Sequence, residues 1–229
     1  MKWWLTGLAV ALATLGSVAS VLAGGWNTPV PQDKVPAFSI PKMTKPPVID
    51  GAIDVEEWKE ATAISGIGGC VDAQLIARPT TYLLAWDDDH LYLAMRVWVK
   101  PGYKPNVGGR EPGSAGAFDD GGEFHFQPMG KNVAAGRTSS SYKFNINCLG
   151  VDGDLNRVAV GQQFKNWMPE FKRAFRFTAD GSAPNGGRWW ECEVSATTKD
   201  FELAGPNRAG DQWKMMLGFN HMYSGWTQA

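Results

Sequence analysis

The sequence has few of the residues that build metal centres. Its 229 residues include three cysteines and three histidines, and they form no CxxC pair, CxxCH motif or zinc-type spacing. It also lacks an excess of either charge, because Lys and Arg number 22 and Asp and Glu number 23. A chain without a positive field does not attract phosphate backbones or anionic lipid, so we expect no nucleic-acid partner.

Long apolar runs are also missing, except at the N-terminus. A lysine at position 2 precedes an apolar run that ends in the sequence VLA, whose small last residue suits signal peptidase. This pattern predicts a signal peptide over residues 1–23, an exported protein and no membrane span after cleavage. An uncleaved anchor is the alternative, because the run is close to the length that crosses a bilayer.

The three cysteines lie far apart, at Cys70, Cys148 and Cys192. An odd number in an exported chain allows one disulfide and one remaining thiol. Cys148 and Cys192 each fall on the apolar side of an alternating segment, which favours buried free thiols. A disulfide between two of the three is the alternative.

Two different segments precede the first predicted strands. Residues 24–45 are rich in proline, which disfavours helices and strand ladders and predicts an extended lead-in. The next segment, PPVIDGAIDVEEW, predicts a turn and one short helix, because Asp54 can cap a helix and Glu57 can complete a capping box. We expect this helix to be structural and to bury Trp58 in the core.

Most of the remaining sequence alternates between apolar and polar residues over short segments separated by turns. This period of two is typical of strands, and the spacing of the segments favours an all-β fold, an antiparallel β-sandwich of the immunoglobulin-like or jelly-roll-like kind. In LYLAMRVWV, Met95 lies on the apolar face and Trp98 on the other. In WECEVSA, Glu191 and Glu193 are predicted to point outward.

Two further segments predict a common polar surface. In EFHFQ, the two phenylalanines share one face and leave Glu123 and His125 on the other. In SYKFNINC, the apolar residues leave Lys143 and Asn145 on the opposite side. The long breaker-rich segment 101–117 between strands indicates a functional or mobile loop.

Six segments in this order resemble family-9 carbohydrate-binding modules and the related DOMON-like sandwiches. They are PPVIDGAIDVEEW, YLLAWDDDHLYLAMRV, DDGGEFHFQP, YKFNINCLG, WWECEVSA and WKMMLGFN. The resemblance covers about positions 45–226 and implies one sandwich domain over residues 46–229. Related sequences continue into another strand beyond the position of Ala229, so the chain is either a fragment or has a sheet edge finished differently.

The resemblance implies non-catalytic binding of an oligosaccharide or polysaccharide. Such modules hold a sugar between aromatic side chains while polar groups bond its hydroxyls. Matching the motifs position by position gives the polar candidates Glu123, Lys143, Asn145 and Asn220. Trp226 is the candidate for one of the two aromatic residues that sandwich the sugar. Relatives have the other tryptophan just before the position of Asp119, where this chain has Phe118. Trp98 is the second candidate for that role.

The same resemblance implies a structural calcium ion. The candidate ligands are the carboxylates of Asp87, Asp88, Asp89 and Asp120. Calcium prefers six to eight oxygen ligands from a spaced set, whereas three consecutive aspartates before a strand are also typical of a hairpin turn. Both interpretations stay open at this point.

Three rival functions follow from the sequence. Some DOMON-like relatives hold haem between their sheets through Met and His or Lys, and the candidates here are Met95, Met215, His90, His125 and His221. A lone strand histidine is more often hydrogen-bonded than a ligand, so haem is the less favoured alternative. A structural envelope or interaction domain is the second rival. A glycosidase needs paired carboxylates across a cleft, and the sequence carries no hydrolase signature, so catalysis by this chain is not favoured. The resemblance implies an attached or associated glycoside hydrolase, because such modules are commonly joined to enzymes.

Overall fold

The computed structural model describes residues 35–65, 80–116, 119–129, 140–159, 162–164 and 167–220. The chain divides into two units, Met1–Phe38 and Ser39–Ala229. Of the first unit only residues 35–38 are described, and they contain no helix or strand. The predicted signal peptide over residues 1–23 lies outside the described residues. In the part of the chain that is described, no helix is long and apolar enough to cross a membrane.

The second unit is built from antiparallel strands, as the alternating pattern predicts. The described residues form ten: β1 Thr62–Ser65, β2 Thr80–Trp86, β3 His90–Val99, β4 Gly121–Met129, β5 Ser141–Asn147, β6 Asp152–Ala159, β7 Gln162–Phe164, β8 Lys172–Phe177, β9 Arg188–Thr197 and β10 Gln212–Asn220. A 3-10 turn at Pro184–Gly186 lies between β8 and β9.

The strands make two five-stranded sheets. Sheet 1 has the order β1-β2-β3-β9-β8, and sheet 2 has the order β10-β4-β5-β6-β7. The inward side chains of both sheets, with Phe201 from the segment between β9 and β10, form one aromatic-rich core, whose best-buried members are Tyr82, Leu84, Met95, Val97, Phe124, Phe126, Phe144, Ile146, Trp190 and Phe201. The predicted all-β sandwich is therefore confirmed, and so is the inward placement of Met95 and the two phenylalanines of EFHFQ.

The predicted short helix after Asp54 does not form. The segment is a series of turns in which Oδ1 of Asp54 accepts the backbone N–H groups of Glu56 at 2.7 Å and Glu57 at 3.3 Å. Asp54 therefore caps a turn as its residue type suggests. The carboxylate of Glu57 does not close a capping box, because it accepts the backbone N–H of Val48 at 3.2 Å.

Residues 41–61, which we call the N-terminal cover, lie on the outer face of sheet 1. Trp58 is 3% exposed and packs with Tyr92 and Ala94 in a second, smaller apolar cluster. Trp58 is thus buried, as predicted. It packs between the N-terminal cover and the outer face of sheet 1, however, and not between the two sheets. Its indole N–H donates to Oε1 of Glu193 at 2.8 Å.

The N-terminal cover also corrects the prediction for β9. Glu191 and Glu193 do alternate away from the main core, yet their exposures are 1% and 0%. Oε2 of Glu193 accepts the backbone N–H groups of Asp50 at 3.0 Å and Gly51 at 2.8 Å. These donors compensate a buried carboxylate, which would otherwise be costly.

Cys148 and Cys192 are buried free thiols, as the alternating pattern predicts. Burial raises the pKa of both thiols. Both are therefore neutral apolar packing groups at physiological pH. Cys70 lies outside the described residues.

Candidate functional site

Neighbouring strands of sheet 2 bring a set of polar side chains together on its outer face. In the register of β4, Glu123 pairs with Asn145 of β5 on one side and with Gly218 of β10 on the other. His125 pairs in the same way with Lys143. Directly opposite residues of adjacent strands share a face and lie close enough to interact.

The side chains at this point form a hydrogen-bonded group. Oε1 of Glu123 accepts from Nε2 of His125 at 3.0 Å and is paired with Nζ of Lys143 at 3.3 Å. Oε2 of Glu123 accepts from the Asn220 amide at 3.0 Å. We call these four residues, together with Asn145, the Glu123 cluster. It unites all four polar residues that the resemblance implies.

The surroundings of Glu123 keep its carboxylate ionised. The hydrogen bond from His125 is the largest cause, and with Asn220 and Lys143 it outweighs the opposing effect of burial and lowers the pKa of Glu123 from 4.5 to about 2. The Glu123 side chain is 18% exposed. At neutral pH the cluster therefore presents a fixed anionic acceptor beside a cationic donor.

Asn145 differs from its neighbours because its amide has no partner. The residue is 3% exposed, and neither Oδ1 nor Nδ2 makes a hydrogen bond within the described part of the chain. Leaving a buried polar group unpaired costs about 1–3 kcal/mol. Unpaired polar groups of this kind are exceptions in folded proteins, and one role for them is to bond a ligand.

Of the predicted aromatic residues, only Trp98 is among the described residues, and it lies away from this cluster. Trp98 belongs to β3 of sheet 1 and alternates away from the main core, so it lies on the other sheet. Phe118 and Trp226 lie outside the described residues. The aromatic side of the predicted site therefore stays a prediction.

Two residues of the same face were not among the predicted ligand contacts. The sequence predicts His125 to lie on the polar side of β4, and this position beside Glu123 is the signal for its role in the cluster. Met216 lies directly opposite His125 on β10 and is 46% exposed. Met216 is exposed because the side chains of β10 alternate between the two faces of the sheet. The sequence contains no motif that marks Met216 as a ligand contact.

The described part of the loop between β3 and β4 is held by two aspartates that precede β4. Asp120 is buried and accepts from the Tyr103 hydroxyl at 2.5 Å and the Asn106 backbone N–H at 2.7 Å. Asp119 accepts from the backbone N–H of Gly108 at 2.6 Å and from the Asn147 amide at 3.0 Å. These bonds keep the pKa of Asp119 below its usual range, although burial, the largest single influence, acts to raise it. Asp120 thus serves as an anchor of the loop.

The three consecutive aspartates form the turn between β2 and β3. Oδ1 of Asp87 accepts the backbone N–H groups of Asp89 at 2.8 Å and His90 at 2.7 Å, while Asp88 pairs with Lys42 at 2.7 Å. Over the described ranges, no three His, Cys, Asp or Glu side chains are grouped to hold a metal ion. The calcium site stays a prediction of the resemblance.

Three of the candidate haem ligands, Met95, His125 and His90, lie in different parts of the structure. Met95 is 1% exposed in the core, whereas His125 bonds Glu123 on the outer face of sheet 2. His90 lies 3.1 Å from Asp87 at the turn after β2. His221 lies outside the described residues.

Comparison with known proteins gives similarities of structure only. No protein-family model matches the sequence, and no curated protein matches it as a relative. A family-9 carbohydrate-binding module from Caldicellulosiruptor kristjanssonii, solved in complex with glucose, is 16% identical with a TM-score of 0.43, covering 77% of this chain and 74% of that one.

Two further solved structures are similar to the chain. A family-9 module from the same organism in complex with cellotriose is 16% identical with a TM-score of 0.42, covering 80% of this chain and 77% of that one. A candidate carbohydrate-binding protein from Bacteroides uniformis is 13% identical with a TM-score of 0.47, covering 78% of this chain and 87% of that one.

Proposed function

We propose that this sandwich binds carbohydrate without catalysis, at the Glu123 cluster on the outer face of sheet 2. The observation that carries the proposal is the buried amide of Asn145, which has no partner within the described residues and lies beside a fixed ionic group. A ligand rich in hydroxyl groups would satisfy this amide. Each hydroxyl both donates and accepts, so it suits a surface that offers both functions.

Each member of the cluster has a distinct role in this proposal. The ionised carboxylate of Glu123 accepts from sugar hydroxyls, and the ammonium group of Lys143 donates to their oxygens. Asn145 supplies one donor and one acceptor direction. His125 and Asn220 hold Glu123 in place, so little ordering is needed when the sugar binds. Aromatic stacking by Phe118 or Trp226 completes the proposed site.

The same geometry favours binding over hydrolysis. A glycosidase uses a pair of carboxylates, one of which stays protonated near neutral pH to act as an acid. Glu123 does not suit the role of this acid, because its neighbours hold its pKa at about 2. Any hydrolysis is proposed to belong to an attached or associated glycoside hydrolase. Export of the chain would bring the domain to extracellular or periplasmic polysaccharide.

Isothermal titration calorimetry with purified protein tests the proposal. The ligands are glucose and soluble cello-, xylo- and manno-oligosaccharides, and the variants are Glu123→Gln and the matched control Glu56→Gln, whose side chain is 79% exposed. We expect one glycan class to bind, with affinity reduced about tenfold or more by Glu123→Gln, since a hydrogen bond to a charged group contributes about 1.5–3 kcal/mol. Absence of binding by the folded protein, or equal loss in both variants, would contradict the proposal.

A further inference from the structure

Two tryptophans lie side by side on the outer face of sheet 1, on the other sheet from the Glu123 cluster. Trp98 of β3 pairs directly with Trp189 of β9, and both rings are half-buried. Directly opposite residues share a face, so the two indoles form one aromatic surface. We call it the Trp98–Trp189 platform.

The N-terminal cover reaches the row of side chains next to the platform. This row contains Arg96 of β3 and Glu191 of β9, which are also directly opposite. Arg96 donates to the Ile53 carbonyl of the N-terminal cover at 3.0 Å. The platform is therefore adjacent to a row that the cover holds in place.

Both rings are held in place by contacts of the protein. The Trp98 indole N–H donates to the Pro184 carbonyl at 2.9 Å. Gly187 lies against the same indole, where an added Cβ would be 2.4 Å from Nε1. The Arg96 guanidinium lies 5.8 Å from the centroid of the Trp189 ring. A fixed aromatic surface loses little conformational entropy when a ligand stacks on it.

The edge of the platform carries an excess of positive charge. Arg96 and Arg176 both bond the single carboxylate of Glu191, through their Nε atoms at 2.8 Å and 2.7 Å. Glu191 is 1% exposed, whereas the Arg176 side chain is 46% exposed. Two guanidinium groups share one carboxylate, so one positive charge is left over. Asp180, the acid of the adjacent turn, is paired with Arg188 at 3.6 Å.

The guanidinium group of Arg176 is positioned to bind an anionic group of a ligand on the platform. It lies directly opposite Glu191, which places it diagonal to Trp189 on the same face. Nε of Arg176 donates to the Glu191 carboxylate. The terminal nitrogens of Arg176 have no hydrogen-bond partner among the described residues. A guanidinium held in this way offers a pair of donors in the geometry that a carboxylate accepts.

We propose that the Trp98–Trp189 platform is a second glycan-binding surface, selective for sugars that carry carboxylate groups. A uronate ring would stack on the indoles, and its carboxylate would accept from the terminal nitrogens of Arg176. This surface lies on the other sheet from the Glu123 cluster. The inference is independent of the function proposed there.

Titration of the full chain with trigalacturonate and with its methyl ester tests this inference. The ester keeps the sugar rings and removes the charges. The variants are Arg176→Gln and Trp189→Ala at the platform, with Glu123→Gln reporting on the other site. The matched control is Arg208→Gln, because Arg208 is exposed and follows Asn207, which bonds the Asp88 carbonyl at the opposite end of β3.

We expect trigalacturonate to bind and each platform variant to weaken it about tenfold or more, as does esterification, since a charge-assisted hydrogen bond contributes about 1.5–3 kcal/mol. Glu123→Gln and Arg208→Gln should leave the affinity within about twofold, the size expected for remote surface charges. No binding, equal binding of acid and ester, or loss in Glu123→Gln in place of Arg176→Gln would overturn the proposal. If Trp189→Ala fails to fold, the half-exposed Arg176→Gln decides the question.

Discussion

The indole N–H of Trp58 donates to Oε1 of Glu193 at 2.8 Å across 135 residues of sequence. This bond joins the N-terminal cover to the second strand from the edge of sheet 1, at a point where Glu193 is 0% exposed. Burial raises the pKa of Glu193, and the N–H groups of Trp58, Gly51 and Asp50 oppose that rise. The cover and the buried carboxylate therefore depend on one another.

The first prediction concerns the Trp58 bond. Trp58→Phe keeps most of the buried ring and removes the donor, so we expect the free energy of unfolding to fall by about 1–3 kcal/mol. Trp58→Ala also opens a cavity and should cost about 3–5 kcal/mol. Urea denaturation measures both, with Val55→Ala, at a residue 71% exposed, as the control. Equal stability of Trp58→Phe and wild type would show that the bond contributes nothing.

The second prediction concerns Gly51, where the N-terminal cover approaches sheet 1. Its φ is +89°, and a Cβ there would lie 2.8 Å from backbone atoms of Phe175. Gly181 has a φ of +82° and open space around it, so Gly181→Ala carries only the backbone strain, about 1–2 kcal/mol. Gly51→Ala adds the clash and should be clearly more destabilising by thermal unfolding. Equal losses of stability in the two variants would rule out the close approach.

The sequence predicts strands well because alternation is a local property. The polar side chains at positions 123, 143 and 145 and the apolar ones between them follow from period two alone. Burial of Glu193 does not, because the backbone N–H groups of Asp50 and Gly51 that bond its carboxylate lie more than a hundred positions earlier in the chain. The capping signals around Asp54 likewise predict a helix from local sequence alone. The structure has turns there, in which Glu57 bonds the Val48 backbone and Trp58 bonds Glu193.

The same limit applies to the candidate site. Matching the motifs along the chain selects Glu123, Lys143, Asn145 and Asn220. These residues lie close together because β4 pairs with β5 on one side and with β10 on the other. The pattern around Trp98 shows only that it points away from the core. Which sheet its strand joins depends on long-range pairing, so an outward tryptophan could not be assigned to one site or the other.

The third prediction is the pH dependence contributed by Glu123. Its pKa in the folded protein, about 2, is lower than the ordinary value of 4.5, so the folded state binds this proton less tightly than the unfolded state. The ionised carboxylate stabilises the fold above pH 4.5, and this contribution, at most about 3 kcal/mol, is lost as the pH falls towards 2. The difference in unfolding free energy between wild type and Glu123→Gln should shrink across this range. A constant difference from pH 6 to about 2 would contradict the assigned shift.

The fourth prediction separates function from stability at Asn145. Asn145→Leu removes an unpaired buried amide and keeps a side chain of similar size, so the unfolding free energy should stay equal or rise by about 1–3 kcal/mol. Saccharide affinity should fall about tenfold, because two hydrogen-bonding directions are lost. Chemical denaturation and calorimetry on the same preparation measure both. Lower stability with unchanged affinity would make Asn145 a structural residue.

The most direct test of carbohydrate binding at the Glu123 cluster is an NMR titration that follows side-chain amide resonances. Asn145 and Asn220 carry amide groups within the cluster, while Asn207 bonds the Asp87 carbonyl at the hairpin turn of sheet 1 and serves as an internal control. With the glycan that calorimetry identifies, the resonances of Asn145 and Asn220 should shift and saturate together while that of Asn207 stays fixed. Saturable binding that leaves Asn145 and Asn220 unmoved would contradict the proposed site.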